Sequence, residues 1–169
     1  MKSILRNEKG QSLVEVIISL SIAIIVVLAF TSATISAVRE AQFAKNQNQA
    51  TRIAQRSLEL VRAVRDQDND INDTDNDPAT GTMWSTLWST NIGASGRCYN
   101  LNDNILSLRL RSDCNDNNDE LIETIFRRKI RIADDGSNVN RKTIYIQVAW
   151  SDGKGDHKAE ANTLLTEWQ

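Results

Sequence analysis

Val16-Ile17-Ile18-Ser19-Leu20-Ser21-Ile22-Ala23-Ile24-Ile25-Val26-Val27-Leu28-Ala29-Phe30 opens a stretch that carries no charged residue before Arg39. A hydrocarbon core about 30 Å thick takes about 20 apolar residues of helix to cross, and this run supplies them. It is too long for the core of an ordinary secretory signal, about 7–15 residues, and no break in the helical pattern follows it. Upstream, residues 1–10 are short and polar, with Lys2, Arg6 and Lys9 as cations. Cations ahead of an apolar helix hold that end in the cytoplasm and send the remainder out. At the lip of the run stands Glu15. Such a carboxylate either rests at headgroup level or needs an oppositely charged partner inside the membrane.

Downstream the helical pattern continues. No Gly or Pro lies between Gly10 and Pro78, so nothing breaks a helix there. Val38, Ala41, Ala44, Ile53, Ala54, Leu58, Val61 and Val64 recur at spacings of three and four, interleaved with Arg39, Lys45, Arg52, Arg56, Arg62 and Arg65. A helix from Gln11 to Val64 is predicted, about 80 Å long at 1.5 Å per residue. Its first part is expected to span the membrane and its second to cover a head. Residues 66–77 then form an acidic, low-complexity loop. Asp66, Asp68 and Asp70 alternate as at the start of a Ca²⁺-binding loop, with Asp77 at the twelfth position. Ile71, however, stands where such a loop needs Gly, and Asp is shorter than the usual closing Glu. A solvated turn held open by charge repulsion is the simpler reading; those four aspartates remain the candidate Ca²⁺ ligands. Asp113, Asp116 and Asp119 invite the same comparison more weakly.

The later segments read as strands. Leu106, Leu108 and Leu110 alternate with polar residues. Phe126, Ile130 and Ile132 share one parity, while Arg127, Lys129 and Arg131 take the other. Asp134-Asp135-Gly136-Ser137-Asn138 is turn chemistry. Ile144, Ile146, Val148 and Trp150 alternate with Tyr145, Gln147 and Ala149; Ser151 to Gly155 turns again; and His157 to Ala161 makes a last short strand. The apolar face of this meander needs a cover, and the amphipathic half of the long helix is the candidate. The predicted class is therefore α+β, a long helix on a small antiparallel sheet. Met83, Trp84, Leu87, Trp88 and Ile92 either seal the edge of the head or form an exposed aromatic patch.

Composition narrows the function. With 20 basic and 22 acidic residues the net charge is −2, and no basic block with interleaved aromatics points to nucleic acid. The single histidine, His157, has no nucleophile that the sequence places beside it, and Gly93-Ala94-Ser95-Gly96 lacks the lysine of a phosphate loop. No enzymatic activity is expected, and no cofactor apart from the candidate Ca²⁺. Cys98 and Cys114 have no metal-ligand spacing. Exported to an oxidising compartment, two cysteines this close are expected to pair.

Gly10-Gln11-Ser12-Leu13-Val14-Glu15, a glycine followed five residues later by glutamate and then by an apolar helix, resembles the prepilin peptidase site of type IV pilins and type II secretion pseudopilins. The resemblance implies cleavage between Gly10 and Gln11 and N-methylation of Gln11. It also implies that Glu15 pairs with a neighbouring subunit's amino terminus during assembly. Gln11 departs from the apolar residue more often found there, and the proline many pilins carry in this helix is absent. Near the end, Val148-Ala149-Trp150-Ser151-Asp152-Gly153, Gly155-Asp156-His157-Lys158 and Thr163-Leu164-Leu165-Thr166 resemble the C-terminal strands of V-type minor pilins, as does Ala54-Gln55-Arg56-Ser57-Leu58-Glu59-Leu60-Val61-Arg62 on the helix.

What the resemblance implies is a filament subunit, a minor pilin, with a secretion or DNA-uptake pseudopilin as one alternative and a membrane-anchored binding module that never polymerises as another. Its parts would be a leader (1–10), a membrane and assembly helix (11–38), an amphipathic continuation (39–65) and an extracytoplasmic head (66–169). Its partners would be other pilin subunits, a prepilin peptidase, an inner-membrane assembly platform and membrane lipid.

Overall fold

The structure is a computed structural model describing residues 11–67, 70–72, 82–102, 106–111, 113–115, 119–136 and 138–167. The chain divides into two compact units, Met1–Lys45 and Asn46–Gln169. One helix, α1 (Gln11–Asp66), enters both. In the first unit it is the only described element, and its aliphatic side chains are exposed on every side.

The second unit is the head. After α1 come β1 (Asp70–Asn72), β2 (Thr82–Met83), α2 (Trp84–Ser89), β3 (Arg97–Asn102), β4 (Ser107–Leu110), β5 (Glu120–Ile122), β6 (Phe126–Asp135), β7 (Asn138–Asp152) and β8 (Gly155–Thr166). Among the described residues these strands form one sheet in the order β2-β1-β4-β3-β6-β7-β8, with β5 also on β6. The pairings are antiparallel apart from β1 with β4, which is parallel. The α+β class thus stands as read.

The core is the seam between sheet and helix. Ala50, Ala54, Leu58, Val61 and Val64 recur every three or four residues along α1 and are buried, as are Phe126, Ile130, Ile132, Ile144, Ile146, Val148 and Trp150. Leu101 and Leu108 extend the same layer onto β3 and β4. Trp84 and Trp88 meet edge to face, 6.2 Å between centroids, and both are buried, so they seal the head and offer no exposed aromatic patch.

Three local readings change. Leu106 does not begin a strand: it has φ 47 in the turn before β4. Strand β8 runs for 12 residues to Thr166, well past Ala161. Most instructive is Asp134. Its neighbours Gly136 and Asn138 suggested a turn, yet β6 continues through Asp135, and Asp134 keeps the inward parity of Ile130 and Ile132, directly opposite Lys142. The register shifts only between Asp134 and Asp135, so the irregularity falls after the buried pair and the turn begins later than its composition suggested.

Candidate assembly site

Leu13 to Val38 is the part of α1 where the sequence placed assembly. Among the described residues α1 is the one helix long and apolar enough to cross a membrane. Four of the six hydroxyl groups in this span are satisfied within the helix. Ser19, Ser21, Thr31 and Thr34 each donate to the carbonyl four residues back, on Glu15, Ile17, Val27 and Phe30, at 2.8 Å. Hydrocarbon offers no substitute for water, so polar atoms there have to be bonded within the protein. These bonds are what let serine and threonine sit in an apolar run.

Glu15 contrasts with them. Its carbonyl accepts from Ser19, but its carboxylate is exposed and takes no hydrogen bond among the described residues. Between Leu13 and Val38 no other residue is charged. Gln11 opens α1 one turn earlier, so residues 11 and 15 lie on one helical face. Gly10, the other member of the cleavage pair, falls outside the described residues.

The remaining candidate residues sit in the head and do not converge. Cys98 on β3 is joined to Cys114 by a disulfide, with Cα atoms 5.3 Å apart. Around that bridge Arg111 gathers its neighbours: it donates to Asp119 at 2.9 Å and to the Asn115 carbonyl at 2.8 Å, and lies 3.6 Å from Asp113. Burial pushes the Asp119 carboxyl above its ordinary pKa, against the pull of Arg111 and Arg127. Two of the three later acids are therefore tied to a guanidinium; Asp116 is outside the described residues. Of the proposed Ca²⁺ ligands, Asp66 pairs with Arg65 at 2.6 Å, Asp70 is described only as backbone in β1, and Asp68 and Asp77 fall outside the described residues. Among the described residues no cluster of three metal-ligating side chains occurs. His157 contacts the Asp152 carboxylate at 3.0 Å and lies against Trp150, 5.4 Å between ring centres. The Lys154 amide and His157 hold the Asp152 carboxyl below its usual range. That arrangement closes the β7–β8 hairpin.

Two buried charges were not foreseen. Arg128 shares the parity of Phe126 and Ile130 and points into the core, 3% exposed. It donates to Glu120 at 2.7 and 3.1 Å, to the Leu101 carbonyl at 3.0 Å and to Ser57 on α1 at 3.0 Å. It thereby locks the head half of the helix to three strands. The second is Lys142, which donates to Asp134 and, at 2.8 Å, to the Thr90 carbonyl. Asp134 also accepts the Ile92 and Gly93 amides at 2.9 and 2.7 Å. Burial alone would raise the Asp134 pKa. The Lys142 hydrogen bond and charge, with the two amides, carry it below the ordinary carboxylate value. The loop so pinned presses close to β6: a Cβ on Gly96 would lie 2.4 Å from the Ile132 carbonyl oxygen.

Comparison with known proteins places the signal at one end of the chain. Residues 5–31 match the family model described as the prokaryotic N-terminal methylation motif, which is the signature of type IV pilins and pseudopilins. No curated protein and no solved structure matches the chain. The motif and the exposed apolar helix fit a membrane-anchored, pilin-like precursor with its head outside the cytoplasm. They also imply contact with a prepilin peptidase and with other pilin subunits, and they suggest a structural subunit.

Proposed function

We propose, for a chain carrying the methylation motif of type IV pilins and pseudopilins, that it is a filament subunit of the minor-pilin kind. In this reading the peptidase removes residues 1–10 and Gln11 becomes the methylated amino terminus. Subunits then leave the membrane through an assembly platform as their α1 helices bundle. The observation that carries the proposal is Glu15: an exposed carboxylate with no partner among the described residues, on an otherwise uncharged span. Moved into a low-dielectric helix bundle, that charge needs a counter-charge, and a neighbour's new amino terminus is a cation at the same level. Pairing of the two would set the axial register between subunits. The V-type assignment rests on the sequence resemblance at Trp150 and the β7–β8 hairpin.

Intact-mass analysis of protein purified from filaments and from membranes tests it. Mature protein is expected to begin at Gln11 with one added methyl group, and replacing Gly10 by Val is expected to leave residues 1–10 attached. Filament-derived protein that still begins at Met1 would overturn the reading. Mature protein confined to membranes, never in filaments, would favour an anchored module that does not polymerise.

A further inference from the structure

On the outward face of the sheet, six side chains from three neighbouring strands form two rows. Lys129, Gln147 and Glu160 stand directly opposite one another on β6, β7 and β8, and Arg131, Tyr145 and Asn162 make the next row. Strands about 4.8 Å apart put the two ends of each row roughly 10 Å from one another at the backbone, with roughly 7 Å between the rows. These six side chains line a groove of about 550 Å³. All of them belong to the one compact unit Asn46–Gln169.

The two walls of the groove differ in charge. On β6, Lys129 and Arg131 project side by side from alternate positions. Asp119 lies 4.0 Å from Lys129, but Arg111 already holds it at 2.9 Å. Burial, and after it the charges of Arg111 and Arg131, push Lys129 below the ordinary lysine pKa. An anion seated between Lys129 and Arg131 would relieve that crowding of cations. On β8 stand the Asn162 amide and Glu160, whose carboxylate meets Lys158 at 2.7 Å. The floor between the walls is Gln147 and Tyr145. Arg131 lies over the Tyr145 ring, 4.3 Å from its centre, and donates to the Ser95 carbonyl at 3.2 Å. The guanidinium is thereby fixed in place, while the tyrosine remains 37% exposed.

A small inorganic anion would use only the cations, and Glu160 would oppose it. A sugar acid has a use for every group. Its carboxylate suits Lys129 and the planar fork of Arg131. Its hydroxyls both donate and accept, so Gln147, Asn162 and Glu160 all gain partners. The C–H face of its ring is apolar enough to rest on tyrosine, a side chain with an apolar body and a polar tip. We infer that this groove binds an acidic glycan, one uronate unit lying across Tyr145 with its carboxylate between Lys129 and Arg131. This goes beyond the filament reading and requires only that the head be outside the cytoplasm.

Calorimetric titration of the full chain in detergent micelles, with a galacturonate tetramer as the probe, tests it. Saturable binding is expected, and the neutral galactose tetramer should give none. Arg131→Gln should weaken the affinity about tenfold or more, since it removes a charge-assisted pair. Asn162→Ala, which alters no charge and sits on a strand at the end of the sheet, should weaken it by about threefold through a lost neutral hydrogen bond. Arg127→Gln, on the same face of β6 but outside the groove, should change it by less than about twofold. Denaturation midpoints verify that each variant is folded. Four results would overturn the site: no saturable binding, equal binding of the neutral tetramer, equally tight binding of tetra-aspartate, or an Arg127→Gln loss as large as that of Arg131→Gln. None of the four bears on the filament reading, which is decided by processing at Gly10.

Discussion

Lys142 donates to Asp134 in the interior of the head, where neither side chain reaches solvent: 0% and 1% exposed. Lys142→Met should be strongly destabilising, by about 3–5 kcal/mol, because it leaves a buried carboxylate without its cation. Asp134→Asn/Lys142→Met should recover part of the loss, since the asparagine oxygen can still accept the Ile92 and Gly93 amides. Chemical denaturation of the detergent-solubilised proteins checks both.

The same pair has a defined pH signature. The Asp134 pKa is depressed in the folded protein, so its contribution is fully present above the unfolded aspartate value, about 3.9, and is lost as pH falls through the folded one. Asp119 acts in the opposite sense: its raised pKa makes the head gain stability as that carboxyl protonates. Denaturation midpoints across acidic pH should therefore fall less steeply in Lys142→Met than in the parent. An unchanged slope would mean the pair is not what titrates.

Glu15→Val should leave membrane insertion intact, because an apolar substitution only strengthens the span. It should nevertheless lower incorporation into filaments, because the neighbour's amino terminus loses its counter-charge. Comparing the variant's abundance in membrane and sheared-filament fractions reads both. Normal incorporation would return Glu15 to a simple interfacial position.

Cys98 and Cys114 close a loop of about 15 residues, worth roughly 3 kcal/mol by chain entropy. Cys98→Ser/Cys114→Ser should lower the denaturation midpoint accordingly, and alkylation of protein from the native envelope without reductant should label neither thiol. Two labelled thiols would mean that the bridge does not form in the cell.

Legibility in the sequence followed from how local each cause is. The membrane run, the helix continuing beyond it and the alternation of Ile144, Ile146, Val148 and Trp150 are patterns within one element, and they can be read without knowing its neighbours. Asp134 could not be read so. Its burial depends on β6 running on past it and on a lysine eight residues away across a hairpin, while its immediate neighbours advertise a turn. Arg128 was visible in principle: it occupies an inward parity between Phe126 and Ile130, and an arginine there demands acceptors. What the sequence could not supply was their identity, since Ser57, Leu101 and Glu120 come from three separate elements. Glu15 was legible because its signal is an exception within a uniform background.

The four hydroxyls bonded back into α1 have a further consequence. By keeping their hydrogen bonds at home, Ser19, Ser21, Thr31 and Thr34 remove themselves from any conversation between helices. Two such spans laid side by side could slide past each other over several residues with little change in energy, since, Ser32 and Ser36 apart, aliphatic surface meets aliphatic surface at most offsets. A single charge then acts as the deepest notch on a nearly smooth rail. Alignment between neighbours is decided at one residue near one end, and a second carboxylate placed one helical turn further along, at Ser19, should offer a second stop.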